Sequence, residues 1–361
     1  MLRETERVRV LLVTNDFPPR AGGIQQYLKG LVAAFPGKVR VLAPRHDGAP
    51  PDDRVVRGSR RFMWPTRRTR RWVARQVEEF QPDVVLFGAP HPLAHMGPRL
   101  RDETGVPYAV LCHGAEITVP AAIPIARQLV RHPLKRADAV LANSRFTAGR
   151  VERLTGRPVR VVGVGVDPGF APGPGPDGVV VGCVSRFVPR KGQRRVLRAV
   201  HALRGEGHDV EVLLVGKGRD EGALRRLAER LGVPTRFEVD VAYDRLPGLY
   251  REMKIFAMPC RTRWFGLEVE GLGVVFLESA ATGLPVVAGD SGGAPETVDP
   301  GVTGFVVDTD RTLLDAMRRL VGAPTLAAAM GRAGLEWVGR HYTWEATAAR
   351  FEAGLREAIG G

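Results

Sequence analysis

The residues able to do chemistry stand in short polar runs, each where an apolar strand-like stretch gives way to a helix-like one. Ser185-Arg186-Phe187-Val188-Pro189-Arg190-Lys191-Gly192 is one such run. With Arg186 at a strand end and Lys191 at a helix start, a guanidinium can grip a diphosphate bidentately beside an ammonium acting as a mobile point charge. A solvated basic loop has the same composition. Further on, Glu270 precedes a glycine-containing helix start and Glu278 lies within that helix, with seven residues between them. One carboxylate can then sit in the loop and the other two turns down, both accepting hydrogen bonds from vicinal hydroxyls. Helices also contain many glutamates without any such role. Gly216-Lys217-Gly218 forms a further close-approach turn after a strand.

The N-terminal half carries two more runs. Asn15-Asp16-Phe17-Pro18-Pro19-Arg20 leads through Gly22-Gly23 into a helix containing Gln25. A glycine pair at a helix start lets a phosphate or sugar approach backbone N–H groups under a favourable dipole, and it equally makes a plain strand-to-helix turn. His113-Gly114 follows the strand ending at Cys112; the imidazole can hold a sugar hydroxyl or simply be a satisfied buried histidine. Two patterns are set aside. Asp308-Thr309-Asp310 has the form of a diphosphate-metal motif, but its place between a strand and a helix is better explained by N-capping. Gly163-Val164-Gly165 lacks the third glycine of a dinucleotide fingerprint, and Pro168 intrudes. No metal site is expected.

These runs must be positioned by alternating strands and helices. Strands are predicted at Val8 to Val13, Val39 to Ala43, Val84 to Gly88, Tyr108 to Cys112, Ala139 to Ala142 and Val159 to Val164. The pattern resumes at Val179 to Val184, Val210 to Val215, Ile255 to Pro259, Pro285 to Ala288 and Phe305 to Val307. Helices are predicted at Ile24 to Phe35, Trp72 to Phe80, Lys191 to Leu203, Glu221 to Leu231, Gly273 to Thr282 and Trp344 to Ile359. Continuous apolar β-branched runs are the mark of parallel strands buried on both faces. Three prolines and three glycines within Ala171 to Gly178 leave neither helix nor strand and predict a linker. The expected fold is therefore α/β, with two doubly wound Rossmann-like domains facing a central cleft, spanning 1–170 and 179–343. Ligands in such sheets bind beyond the carboxyl ends of the strands.

Composition sets the partners. The 361 residues are 44% apolar and 25% charged, which is globular and sufficient for two domains. Lys+Arg 53 against Asp+Glu 39 gives a net charge of +14, which calls for an anionic partner. No apolar run reaches the roughly 18 residues needed to span a bilayer. Glu4, Glu6 and the short run Val10 to Val13 argue against a leader peptide. Cys112, Cys183 and Cys260 are far apart, which excludes a disulfide framework or zinc finger and fits a reducing cytoplasm. Between residues 57 and 75, eight arginines without one acidic residue are interleaved with Phe62, Met63, Trp64 and Trp72. Cations among aromatic rings suit a membrane interface or nucleic-acid stacking. No nucleic-acid fold signature accompanies them, so nucleic acid is not expected and an anionic membrane surface is preferred. Arg67, Arg68, Arg70, Arg71, Trp64 and Trp72 are the expected docking residues.

The order Gly22-Gly23, His113-Gly114, Arg186 with Lys191, and Glu270 with Glu278 resembles the retaining family-4 glycosyltransferases of the two-Rossmann-domain, GT-B type, over nearly the whole chain. Asn15 to Gln25, Cys260 to Glu270 and Asp290 to Glu296 look most like bacterial phosphatidylinositol-mannoside mannosyltransferases. The resemblance implies transfer of mannose from GDP-mannose to a membrane glycolipid, without metal or other cofactor. Arg186 and Lys191 would then hold the leaving diphosphate, Glu270 the sugar hydroxyls and Glu278 the ribose. Backbone around Val241 would read the base, Gly22, Gly23 and Gly216 would let the donor approach, His113 would contact the sugar, and Asp16 and Gln25 would meet the acceptor. The helix 344–361 would cross back to the first domain. The implied enzyme is a monomer or weak homodimer, cytoplasmic and peripheral to the inner membrane face. A different nucleotide sugar, a soluble acceptor, or a polyanion-binding α/β protein are the rival readings.

Overall fold

Apolar β-branched runs bounded by turns form the strands of two separate parallel sheets. A computed structural model describes residues 7–20, 22–114, 116–117 and 124–360; Glu4 and Glu6, on which the leader expectation rests, lie outside them. The chain divides into two units, Met1–Gly165 with Trp344–Gly361, and Val166–Thr343.

In the first unit the described strands are β1 (Arg9–Val13), β2 (Lys38–Ala43), β3 (Val55–Arg57), β4 (Val84–Phe87), β5 (Tyr108–Cys112), β6 (Ala139–Ala142) and β7 (Arg160–Val161). They pair in parallel in the order β3-β2-β1-β4-β5-β6-β7. In the second unit β8 (Val179–Val184), β9 (Val210–Val215), β10 (Thr235–Glu238), β11 (Ile255–Met258), β12 (Val286–Gly289) and β13 (Gly304–Val307) pair in parallel in the order β10-β9-β8-β11-β12-β13. Both sheets reverse direction of addition beside their first strand, between β1 and β4 and between β8 and β11. The crevice at such a reversal is where loops after two neighbouring strands part in opposite directions and leave room for a ligand. The central strands are buried on both faces: Leu11, Val13, Phe87, Val110 and Cys112 anchor the first core, and each large side chain withdrawn from water contributes about 1.5–3 kcal/mol.

Several boundaries differ from the sequence reading. The division falls after Gly165, not after residue 170. The Pro/Gly stretch 171–178 has no helix or strand, but Arg251 of the second unit donates to the carbonyls of Gly169 (3.1 Å) and Ala171 (3.0 Å). The closing helix Trp344–Gly360 is counted with the first unit. There Phe351 meets Phe35 edge-on at 5.6 Å, and Arg350 Nε donates to Val162 O at 2.9 Å. Of the stretch Val159 to Val164 only two residues pair, because Gly163, at φ 77°, turns the chain away. The helix expected from Trp72 begins at Arg67, where Thr66 caps it by accepting from Thr69 N–H. Among the described residues no helix is long and apolar enough to cross a membrane.

Candidate functional site

The reversal between β8 and β11 brings together two charged loops. After β8 the chain makes a tight turn at Pro189–Lys191 before the helix Gln193–Gly205. Gly192 closes it at φ 85°, and a Cβ there would lie 2.4 Å from Pro259 O at the end of β11. Only glycine lets the turn approach that strand end, and the approach aims Lys191 at Glu270. Lys191 Nζ stands 2.5 Å and Arg190 Nη1 2.8 Å from Glu270 Oε2. Arg190 Nη1 also donates to Val269 O at 3.2 Å. Glu270 is fixed from behind: its N–H donates to Ser291 Oγ at 3.3 Å and its carbonyl accepts from Gly293 N–H at 2.9 Å. Burial opposes its charge, but Lys191 and Arg190 outweigh that and hold the carboxyl below the usual glutamate range.

Glu278, on the helix Val274–Ala281, is buried in a different environment. Tyr250 Oη donates to Oε2 at 2.9 Å and Tyr243 Oη to Oε1 at 3.3 Å, with Phe170 edge-on to both rings. Burial pushes its pKa up to about 7; the tyrosine hydroxyls act in the opposite sense and do not compensate. Arg186 is exposed and makes no ion pair among the described residues, while its carbonyl accepts from Gln193 Nε2 at 2.9 Å. The structure therefore joins Lys191 to Glu270 and leaves the Arg186 guanidinium available. Val241, half-buried, lies in the loop after β10. Gly216 is a glycine for a reason other than ligand approach: at φ 140°, a Cβ there would lie 2.1 Å from Ser185 O, so backbone already fills the space.

In the first unit, His113 is buried after β5, and its Nε2–H donates to Gly88 O at 2.8 Å. Its ring meets Tyr27 edge-on at 5.5 Å, and its N–H donates to Glu116. Gln25 Nε2 donates to Asp16 Oδ1 at 2.8 Å, tying the loop after β1 to the helix Gly23–Ala34. Gly22 and Gly23 are exposed at that helix start, which has no side-chain cap.

The basic stretch is less uniform than its composition. Arg67, Arg68, Arg71 and Arg75 are exposed, as are Phe62 and Trp64, whose rings touch at 4.9 Å. Arg70 is less available for docking than its neighbours, since it is largely buried and paired with Glu103 at 3.0 Å. Trp72 is half-buried and packs against the core, as its neighbours Val73 and Val77 do, because it lies on the inner face of the helix. Asp308 and Asp310 are likewise engaged. Thr309 caps the helix Asp310–Gly322 in a capping box with Thr312, Asp308 accepts from Thr312 at 3.0 Å, and Asp310 pairs with Arg195 and Arg261. No cluster of His, Cys, Asp and Glu suited to a metal occurs among the described residues.

Sequence reading singled out neither Arg190 nor the tyrosines. Arg190 adjoins Lys191 in the same basic run, a signal that was present; Tyr243 and Tyr250 reach Glu278 from 35 and 28 residues away, with no local sign.

Comparison with known proteins identifies the family. Residues 21–170 match the Glycosyltransferase Family 4 family and residues 170–337 the family Glycosyl transferases group 1. The chain is 40% identical to a GDP-mannose-dependent alpha-(1-6)-phosphatidylinositol monomannoside mannosyltransferase of Mycolicibacterium smegmatis, over 97% of this chain and 99% of that one. It is 36% identical to a GDP-mannose-dependent monoacylated alpha-(1-6)-phosphatidylinositol monomannoside mannosyltransferase of Corynebacterium glutamicum, over 93% and 95% of the two chains. Among solved structures, sucrose-phosphate synthase from Thermosynechococcus elongatus superposes with a TM-score of 0.79 at 19% identity, covering 98% of this chain and 100% of that one, which shows the shared GT-B fold.

Proposed function

The chain belongs to the glycosyltransferase family of these mannosyltransferases, and from that premise we propose that it moves mannose, with retention, from GDP-mannose to a phosphatidylinositol-mannoside-like membrane glycolipid. The observation that carries this reading is the buried Lys191–Glu270 contact at the reversal of the second sheet, with Arg186 exposed in the same loop. Departure of a nucleoside diphosphate builds negative charge on phosphate, and preplaced cations stabilise that charge without solvent reorganisation. Arg186 and Lys191 supply two such cations, the charge a divalent metal would otherwise bring. Glu270 holds sugar hydroxyls, Glu278 those of the ribose, and backbone near Val241 the base. In the first unit, His113 contacts the sugar, the Gly22-Gly23 turn lets the donor approach, and Asp16 and Gln25 border the acceptor.

The lipid acceptor fits the first unit's exposed surface. Arg67, Arg68 and Arg71, with Trp64 and Phe62, put cations beside interfacial aromatics, each cation contributing about 1 kcal/mol near an anionic leaflet. Peripheral attachment to the membrane's inner face follows.

Calorimetry with GDP, UDP and ADP tests the donor: GDP should bind far more tightly, and a preference for UDP would overturn the mannose assignment. Arg186→Ala should lower turnover by about 2 kcal/mol or more, and a wild-type rate would remove it from the leaving-group role. Product formation should survive EDTA. Reversing the charges of Arg67, Arg68 and Arg71 should weaken binding to vesicles containing anionic phospholipid and slow turnover of lipid acceptor. Unchanged vesicle binding would leave membrane docking without its surface.

A further inference from the structure

Both cations beside Glu270 take the same oxygen. Lys191 and Arg190 converge on Oε2, whereas Oε1 accepts no hydrogen bond from the described residues. A buried carboxylate needs one counter-charge, so the second is a surplus. The two are held differently. Arg190 is anchored beyond Glu270: its guanidinium also donates to Val269 O at 3.2 Å, and its carbonyl accepts from Arg261 N–H at 2.8 Å. The Lys191 ammonium has no second partner among the described residues, and it sits on a flexible four-carbon stem.

We propose that Arg190 is a positioning residue: it remains on Glu270 as the permanent counter-ion, so that Lys191 can leave the carboxylate for the donor's diphosphate. This rests on the donor reading above. If Lys191 moved to phosphate with no Arg190 present, a buried carboxylate would be stranded without a partner, and breaking one side of a buried pair is strongly unfavourable. Such a carboxylate takes up a proton instead. The charged and titratable groups around it are Lys191 and Arg190 from the turn and Cys260 from the loop after β11. Burial pushes the Cys260 thiol up to about 12, so it stays neutral. Glu270 is then the group that takes the proton. Arg190 prevents this, and keeps Oε1 an ionised acceptor for the sugar through the whole reaction.

Calorimetry of GDP binding to the full chain near neutral pH, in buffers of different ionisation enthalpy, counts the protons taken up. Arg190→Met should take up more than wild type, by up to about one proton per GDP. Its kcat should fall roughly a hundredfold, with KM much less affected. Arg190→Lys should restore the wild-type proton count and most of the turnover. Arg190→Gln, which keeps a donor for Val269 O, carries the same expectation as the Met variant should that one not fold. GDP binding with an unchanged proton count and unchanged kcat in the neutral variants overturns the proposal alone. A wild-type chain that does not bind GDP, or a Lys191→Met variant that binds it as tightly as wild type, overturns the donor reading and the proposal with it.

Discussion

Glu270 and Glu278 lie on one stretch of chain and are almost equally hidden, 8% and 5% exposed, yet their surroundings drive them in opposite directions. Around Glu270 two cations more than repay the loss of water, and the carboxyl stays ionised. Around Glu278 two phenol hydroxyls approach, and burial, with a smaller contribution from the charge of Asp167, wins, raising it to about 7. Burial by itself therefore does not set the state of a carboxylate; the charge of its partners does. The difference separates two tasks. A permanently charged Glu270 can hold cations and hydroxyls in register, whereas Glu278, poised near neutrality, can gain or lose its charge when a ligand replaces or joins its tyrosines.

The contrast is broken most directly at Glu270. Glu270→Gln keeps the shape and removes the charge, leaving Lys191 and Arg190 buried against a neutral amide. Breaking a buried ion pair from one side costs about 3–5 kcal/mol, so urea unfolding should show a loss of that order, with turnover abolished. Stability close to wild type would mean that the two cations reach solvent without cost, and that Glu270 is no different from a surface glutamate.

The second test concerns pH. Glu278 has an ordinary value of 4.5 and a folded one of about 7. Between them the folded protein binds more protons than the unfolded chain, so stability falls as pH rises through this window. The decline should amount to roughly 3 kcal/mol, at about 1.4 kcal/mol per pKa unit. Glu278→Gln should abolish it. GDP affinity should move the other way, rising through about pH 7 as the carboxylate becomes a full acceptor for ribose hydroxyls. Parallel pH profiles of GDP binding for wild type and Glu278→Gln would deny Glu278 that role.

Legibility from sequence follows from how local each feature is. Strands buried on both faces announce themselves: Tyr108 to Cys112, Ala139 to Ala142, Val179 to Val184 and Val210 to Val215 are found where their apolar runs place them. Two of the edge strands do not, although β13 at the other edge of its sheet does. Val55–Arg57 sits among charged residues, and Thr235–Glu238 has one large apolar side chain, Phe237, so neither forms an apolar run. Lys191, Glu270 and Glu278 are readable because each stands beside a glycine turn or at a helical spacing. Their partners are not. Nothing in the spacing of the basic run tells that the tight turn carries Arg190 to Glu270 while Arg186 stays exposed, because that depends on Gly192 closing against Pro259. Arg70 and Trp72 have the composition of a docking face, but the 3.6-residue period rotates them toward Glu103 and the core.

The finest division lies between the two tyrosines. Tyr250 is fully buried and donates at 2.9 Å, whereas Tyr243 is half-buried and donates at 3.3 Å, a weaker bond on a side chain that solvent can reach. Both bonds favour the ionised carboxylate, so removing either raises Glu278 further above about 7. Tyr250→Phe should move the midpoint of the GDP-affinity profile upward by about one pH unit, corresponding to a hydrogen bond to a charged group of about 1.5 kcal/mol. Tyr243→Phe should move it by about half that or less, since solvent takes over the vacated position. Equal shifts would show that distance and burial do not rank these bonds. A downward shift in either variant would mean that the hydroxyl stabilises the protonated acid, and then the distinction between the two carboxylates would arise from tyrosine chemistry and not from the exclusion of water.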